Sequence, residues 1–232
     1  MKITASKEMD KKQEVLVAGL FEEDTDNCSS FSKALAQELE EAGQRKVFLK
    51  KFGETYPAKV HDLPYHKIFV LGLGPRKEFT LDKLRQALGK AVTAVKSASY
   101  VSMSTNITEK FISLGHFNPE SVGRATAEGL LLADYNFIKY LAKDKQEKKK
   151  PLSVAAVQWS GIPATFTAGL ATGMIVAESA NMVRDLVNEP ANVVDSEYME
   201  KAARQIAAQH GSVKVKVLNK AELQKEGMGS LL

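Results

Sequence analysis

Short runs of apolar and β-branched residues alternate along the first 160 positions with longer stretches in which apolar residues recur every three or four positions. The short runs predict strands at residues 2–5, 14–20, 46–50, 58–62, 67–71, 100–104 and 152–157. The run at 67–71 is apolar almost throughout, which is typical of a strand buried on both faces of a sheet. A last alternating run, at 213–217, predicts a half-buried strand near the end of the chain.

The longer stretches predict helices whose ends carry suitable capping residues. Helices are expected at residues 31–43, 81–95, 119–141, 166–188, 196–210 and 221–225. Either Ser30 or Ser32 can cap the first helix, and Gly43 is its expected C-terminal stop. Thr80 caps the second helix, and Pro190 ends the long helix at 166–188.

The alternation of strands with helices predicts an α/β sandwich with a largely parallel or mixed sheet. This pattern closes near residue 160, which gives a first domain at residues 1–160. The helical stretch that follows is unusually long and lies between two compact patterns, so residues 161–190 are predicted to form a connector helix. Residues 191–232 then begin a second α/β unit.

Composition narrows the class of protein. A chain of 232 residues with 44% apolar and 26% charged residues has ordinary globular usage, which excludes a disordered or collagen-like chain. No stretch of about 18 apolar residues occurs, and no apolar run follows the N-terminal cation, so neither a membrane span nor a signal peptide is predicted. A single cysteine, Cys28, cannot form an internal disulfide, which favours a cytoplasmic location.

The net charge of +4 is unevenly distributed. Residues 1–150 carry 25 Lys and Arg against 20 Asp and Glu, whereas residues 151–232 carry 7 against 8. Part of the excess is the run at 143–150, whose simplest interpretation is a solvated loop between a helix and a strand. A nucleic-acid surface would place such charge among aromatic residues or along a helix face, so that hypothesis has little support.

Candidate chemical groups are scattered. Gly72 and Gly74 follow a predicted strand, where phosphate-binding loops lie, but the third glycine of the dinucleotide motif is missing, which favours a tight turn. Cys28 has acidic neighbours that raise a thiol pKa, so it is a poor nucleophile. Among the acidic residues, one group forms a helix surface, namely Glu38, Glu40 and Glu41. A second group could chelate a hard cation but lacks the calcium-loop pattern, namely Glu22, Glu23, Asp24 and Asp26. The histidines lack metal-ligand spacing and are interpreted as surface or packing residues, namely His61, His66, His116 and His210.

Several motifs in a fixed order resemble the leucyl aminopeptidase family. The C-terminal third contains RDLVNEPANVV at 184–194, EYM at 197–199, AEL at 221–223 and GMGSLL at 227–232. Upstream, KIFVLGLG at 67–74 with Arg76 and Lys77, and AEGLLLADYNF at 127–137, resemble earlier family segments. The resemblance covers nearly the whole chain. Asp195 and Ser196 stand where the family usually has Thr-Pro, which affects only the entry to a helix.

The resemblance implies a fold and a chemistry. It implies a macro-domain-like N-terminal α/β domain, a connector helix and a catalytic domain in which two divalent ions, Mn or Zn, activate a water that cuts the first peptide bond. The family's ligand segments, a lysine with several aspartates and a glutamate, have no counterpart here. No catalytic, metal or substrate-binding residue is therefore assigned. Arg184, Asn188 and Asn192 are expected to cap and anchor the connector.

The leading hypothesis is therefore the N-terminal portion of a cytoplasmic, hexameric leucyl aminopeptidase that acts on peptides. The 232 residues alone are predicted to be inactive and to contain no metal ion, with a structural or assembly role in which 166–188 and the Leu231-Leu232 end mediate self-association. The unpaired strand at 213–217 and the apolar end support truncation before the chemistry begins. The alternative is a stand-alone macro-like module that binds a nucleotide, ADP-ribose or nucleic acid.

Overall fold

The computed structural model describes residues 1–115, 117–158 and 161–231. The chain divides into two compact units, residues 1–182 and 183–232. No helix among the described residues is long and apolar enough to span a membrane.

A mixed six-stranded sheet lies at the centre of the first unit. Its strands are β1 (Lys2–Ser6), β2 (Val15–Phe21), β3 (Thr55–Ala58), β4 (Lys67–Gly74), β5 (Ser102–Thr105) and β6 (Val154–Gln158). Their order across the sheet is β1-β6-β5-β2-β4-β3, and only β3 runs antiparallel to its neighbour. The predicted α/β sandwich with a mixed sheet is confirmed.

The helices of the first unit are α1 (Lys33–Gln44), α2 (Leu81–Ser97), α3 (Ile107–Ile112), α4 (Pro119–Asp134), α5 (Lys143–Lys148) and the first part of α6 (Ala164–Asn188). The second unit contains the end of α6, then α7 (Ser196–Gln209) and α8 (Lys220–Lys225). Short 3₁₀ turns lie at Arg76–Glu78 and Gly229–Leu231.

The two faces of the central strand β2 bury different cores because successive side chains point to opposite sides. Val15 and Val17 pack with α2, α3, α4 and the start of α6, whereas Leu16 and Ala18 pack with α1. All seven residues of β2 are buried. The strand is therefore apolar throughout, as a parallel strand covered on both faces requires.

The first helices begin where the sequence places their caps. The Ser32 side chain accepts a hydrogen bond from Leu35 N, which selects Ser32 from the two candidates, and Thr80 caps α2 through Lys83 N. The predicted stop at Gly43 is wrong, because α1 continues to Gln44. Lys46 takes the left-handed conformation instead, with a φ of 57°, and the hydrogen bonds from Lys46 N to Gly43 O and Val47 N to Ala42 O close the helix end.

Glycines allow α4 and α6 to cross at backbone contact. A Cβ atom on Gly123 would lie 2.2 Å from Phe166 O, and one on Gly173 would lie 2.5 Å from Arg124 O. Farther along, Asn181 Nδ2 donates to Leu131 O at 3.2 Å. The first part of the long helix is therefore an integral part of the first unit.

Several predicted strands in the first unit are displaced or absent. Residues 46–50 form irregular backbone, and the strand expected at 58–62 lies at 55–58 instead, because β4 is the partner that fixes its register. The strand expected at 100–104 begins two residues later, at Ser102. A short strand forms only where a neighbour accepts its hydrogen bonds, and the local pattern does not contain that information.

The helix boundaries also differ in places. The helix that starts at Pro119 ends at Asp134 rather than at residue 141. Residues 143–148, predicted as a loop, form the short helix α5, and α3 was not predicted. Both of these helices contain only six residues, too few for a clear 3.6-residue periodicity.

The second unit has no buried side chain among its described residues. The helix predicted from residue 196 is confirmed as α7, and the turn at 221–225 as α8. The strand predicted at 213–217 is wrong, since these residues have no assigned secondary structure. The alternation of valine and lysine there has no neighbouring strand within the described residues, and an isolated strand is not stable in water.

Candidate functional site

A buried carboxylate of the first unit, Asp24, lies at the carboxyl edge of the sheet and makes several polar contacts. Asp24 follows β2 by three residues, and its side chain is only 2% exposed. In open α/β sheets the carboxyl ends of parallel strands form the edge at which ligands usually bind. This edge is thus the expected location of a ligand-binding site in the first unit.

Three cations reach Asp24 from three separate segments. Lys110, on α3, donates from Nζ to Oδ2 at 2.8 Å, and Arg76, in the turn after β4, donates from Nη2 to Oδ1. Lys50 Nζ donates to the Asp24 backbone oxygen. Phe21 N also donates to Oδ2, at 3.1 Å. These contacts tie the loop after β2 to the segments that follow β4 and β5.

These contacts lower the pKa of Asp24. Burial by itself raises the pKa, but the hydrogen bond and charge of Lys110, together with the Phe21 amide and Arg76, outweigh it. Asp24 is therefore a carboxylate at neutral pH whose side-chain contacts go to two protein cations and one backbone amide. That arrangement suits an internal ion-pair network, and it leaves the Asp24 oxygens occupied.

The other acidic neighbours do not join Asp24 in a cation site. Glu22, Glu23 and Asp26 are exposed, and the Glu23 carboxylate accepts a hydrogen bond from Arg76 N at 3.1 Å. Among the described residues no group of three or more His, Cys, Asp or Glu side chains is arranged to hold a metal ion.

Gly72 and Gly74 have the structural role that the sequence favoured over phosphate binding. Gly72 N donates to Glu54 O at 2.8 Å, and Gly74 N donates to Lys50 O at 3.0 Å. A Cβ on Gly72 would lie 2.3 Å from Lys51 O, so the segment before β3 packs directly on this glycine. Both amides are occupied, and neither can bind a phosphate without breaking a backbone hydrogen bond.

Cys28 is a buried thiol with a raised pKa. It is 3% exposed, and burial is the main reason that its pKa is raised to about 12, with Asp26 and Asp24 adding to the effect. The sequence predicted a poor nucleophile from the acidic neighbours alone. The raised pKa agrees with that prediction, although desolvation is the larger cause.

The described histidines lie at the surface. His61, His66 and His210 are exposed, and the His66 ring lies 6.3 Å from the Tyr100 ring between centroids. The surface interpretation is confirmed for these three residues. His116 lies outside the described residues.

The motif at 184–199 spans the end of α6, a turn and the start of α7. Pro190 O accepts hydrogen bonds from Val193 N at 2.8 Å and Val194 N at 3.2 Å, which forms the turn. Asp195 caps α7 by accepting from Tyr198 N at 2.8 Å. Although residues 195–196 differ from the usual Thr-Pro, the start of α7 is therefore still capped, by Asp195.

Two further ion-pair clusters were not apparent in the sequence. Glu128 on α4 accepts from Arg85 Nε at 2.6 Å and Arg124 Nε at 2.7 Å. Asp134 accepts from Lys96 Nζ at 2.7 Å. Each cluster joins helices or loops far apart in the chain. Their only sequence signal is a carboxylate on the buried side of a predicted helix.

Comparison with protein families assigns both parts of the chain. Residues 17–144 match the family described as "Cytosol aminopeptidase family, N-terminal domain", and residues 181–232 match "Cytosol aminopeptidase family, catalytic domain". A probable cytosol aminopeptidase of Alkaliphilus oremlandii is 30% identical over 100% of this chain and 47% of its own length. One of Alkaliphilus metalliredigens is 29% identical over 94% of this chain and 44% of its own. The chain thus spans about half the length of the curated relatives it matches.

Solved structures share the fold. A mutant of tomato leucine aminopeptidase is similar over 97% of this chain and 46% of that chain, with a TM-score of 0.75 and 18% identity. The bottromycin maturation enzyme BotP is similar over 92% of this chain and 41% of that chain, with a TM-score of 0.70 and 21% identity. A second BotP structure is a complex with Mn. At these identities the likeness concerns the fold.

Proposed function

The chain belongs to the cytosol aminopeptidase family, and we propose that it serves in an enzyme that releases N-terminal amino acids, such as leucine, from peptides. The observation that carries this proposal is the order of the two family matches, with residues 17–144 followed by 181–232 on one chain. The first unit then provides the N-terminal domain, and α6 leads into the segment that matches the catalytic domain.

The proposed reaction uses two divalent metal ions, Mn or Zn, which would activate a water molecule for attack on the first peptide bond. The described residues do not fit this metal pair, since no suitable cluster of His, Cys, Asp or Glu occurs among them. No step of the reaction is therefore assigned to any residue of this chain. We accordingly propose that these 232 residues alone are inactive, and that the metal ligands belong to parts of the enzyme outside them.

The proposed role of these residues is structural. The second unit exposes apolar side chains at Met199, Val213 and Val217, with no buried residue to pack against in its described part. Within the first unit, α6 exposes Ile175 and Val176. Exposed apolar surface of this kind is typical of interfaces. It supports assembly into a homo-oligomer, proposed to be a hexamer, in the cytoplasm.

The macro-like module proposed as an alternative gains no support from this geometry. Its nucleotide would need free amides at Gly72 and Gly74, and both already donate to backbone oxygens. We therefore propose no nucleotide-binding function for this loop.

The test compares two proteins in one assay. The full product of the gene that encodes these residues and the 232-residue chain are each purified and incubated with leucine p-nitroanilide and Mn or Zn. The full product is expected to release p-nitroaniline, to lose activity with a chelator and to regain it with metal. The 232-residue chain is expected to give none.

Each part of the proposal can fail separately. A full product that is inactive with every divalent metal would overturn the aminopeptidase assignment. Metal-dependent turnover by the 232-residue chain, retained after a second chromatographic step that removes host peptidases, would overturn the proposed inactivity. Sedimentation of the full product as a monomer would overturn the proposed hexamer without affecting either result.

A further inference from the structure

A groove lies on the surface of the first unit between the edge strand β3 and helix α2. It is an open groove with a volume of about 650 Å³, which lies within the usual range for small-molecule sites. Phe69 forms its floor and Pro57 one wall, and the small residues Ala94 and Ala98 of α2 leave room on the other. The groove exists because α2 covers β4 and β2 but leaves β3 open at the edge of the sheet.

One cation, the exposed Lys90 ammonium, lies at the groove. Gly53 has a φ of +85°, and a Cβ there would lie 2.6 Å from Lys90 Cε and 2.9 Å from Lys90 Nζ. The Lys90 side chain therefore lies across Gly53, where any other residue would displace it and strain the backbone. The missing side chain at Gly53 thus leaves room for the Lys90 ammonium beside the groove.

The groove is apolar and carries only positive charge. Lys90 is the one charged residue among the described residues that line it, and the Lys90 ammonium makes no ion pair within the described part of the chain. Lys67, on the same face of β4, places Nζ 5.8 Å from the Phe69 ring centroid. The Ser97 hydroxyl also lines the groove. An apolar body and a negative head group would complement this surface.

The exposed edge strand β3 is poorly suited to pair with an added β-strand from a peptide ligand. Pro57 has no N–H, so β3 presents an interrupted row of donors to a further strand. β3 is also only four residues long. A ligand is therefore expected to bind in the groove and not along the edge of β3. This favours a compact ligand over an extended peptide.

We propose that this groove binds small apolar carboxylates, with the carboxylate at Lys90 and the apolar body over Phe69 and Ala94. The proposal does not depend on the peptidase function, because every group involved lies in the first unit. The groove is open to solvent, so the expected dissociation constant is on the order of 1 mM for a ligand of about twelve heavy atoms.

The test uses three probes with one apolar body and different head groups. 4-Phenylbutyrate, 4-phenylbutanol and 4-phenylbutylamine are titrated into the ¹⁵N-labelled 232-residue chain, and amide shifts are recorded. Phenylbutyrate is expected to saturate and to shift the amides of Thr55, Phe69, Ala94 and Ser97. The Lys90→Met variant keeps the apolar stem, and it should weaken phenylbutyrate binding about three- to fivefold, to the level of the alcohol.

Two further variants make the result specific. Lys83→Met removes a lysine of the same helix that does not line the groove, and it should leave binding unchanged. Ser97→Trp fills the groove from an exposed position and should abolish binding, with an unchanged amide spectrum elsewhere showing that the fold persists. Equal affinity for all three probes, no saturation by 20 mM, or shifts centred away from the groove would each overturn the proposal.

Discussion

A Cβ atom on Gly169 would lie 1.9 Å from the carbonyl oxygen of Glu120. Helices α6 and α4 thus touch at their backbones, and Gly123 and Gly173 bracket the same crossing. Such contact requires glycine, because no side-chain motion can relieve a clash with a backbone oxygen. The long helix therefore begins as a packed part of the first unit.

Gly169→Ala is predicted to destabilise the first unit by about 1–3 kcal/mol, the usual cost of overpacking. The helix propensity of alanine works in the opposite direction by about 1 kcal/mol, so the sign of the change is informative. Urea unfolding followed by circular dichroism measures it. The neighbouring exposed residue provides a control, since Ala168→Leu should stay within about 0.5 kcal/mol. A Gly169→Ala protein as stable as the wild type would contradict the close crossing.

Asp24→Asn is predicted to lower the free energy of unfolding at pH 7 by about 1–3 kcal/mol. The expected loss is smaller than for a fully buried ion pair because the side chains of Arg76 and Lys110 are 41% and 22% exposed. Glu22→Gln, at an exposed carboxylate in the same loop, should have little effect.

The same contribution has a defined pH dependence. The pKa of Asp24 is lower in the folded chain than its ordinary value of 3.8, so its contribution is present above that value. It is lost as the pH falls through the folded pKa. The difference between wild type and Asp24→Asn, measured by urea unfolding, should therefore be constant from about pH 5 to 7 and shrink below the ordinary value. A difference independent of pH would show that the Asp24 charge is not its source.

Cys28 is predicted to react slowly with a thiol reagent at pH 8. Burial and a pKa raised to about 12 keep the thiol protonated and covered. Modification by a chromogenic disulfide should be on the order of 100-fold slower than in 6 M urea, because it requires local opening. As Cys28 is the single cysteine, the absorbance reports this site alone. Equal rates in the two conditions would place the thiol at the surface.

The sequence predicted elements correctly where the signal is local. The Thr80 cap and the apolar stripe of α2 lie within one continuous stretch, and the apolar run of β4 needs no partner to be recognised. Residues 213–217 alternate as well as any true strand, but they have no neighbour within the described residues. Residues 55–58 alternate less clearly and are a strand, because β4 supplies the partner.

The ion-pair clusters could not be predicted from the sequence for a related reason. Asp24, Arg76 and Lys110 are separated by dozens of residues, and only the parallel sheet brings their loops to one edge. No spacing rule connects them. The motif at 184–194 can be recognised in the sequence because its residues are contiguous. It indicates a protein family but not a reactive group.

The end of the first domain, predicted at residue 160, can be located by truncation. Phe166 is 0% exposed, Leu170 8% and Ala177 0%, and Phe166 and Leu170 belong to the main core. A chain that ends at residue 182 should therefore unfold cooperatively in urea. A chain that ends at residue 160 should lose several kcal/mol, since removing one buried phenylalanine side chain costs about 3–5 kcal/mol. Phe166→Ala in the 1–182 chain separates this packing from chain length. Equal midpoints for the two truncations would support the boundary at 160, and a lower midpoint for the shorter chain would contradict it.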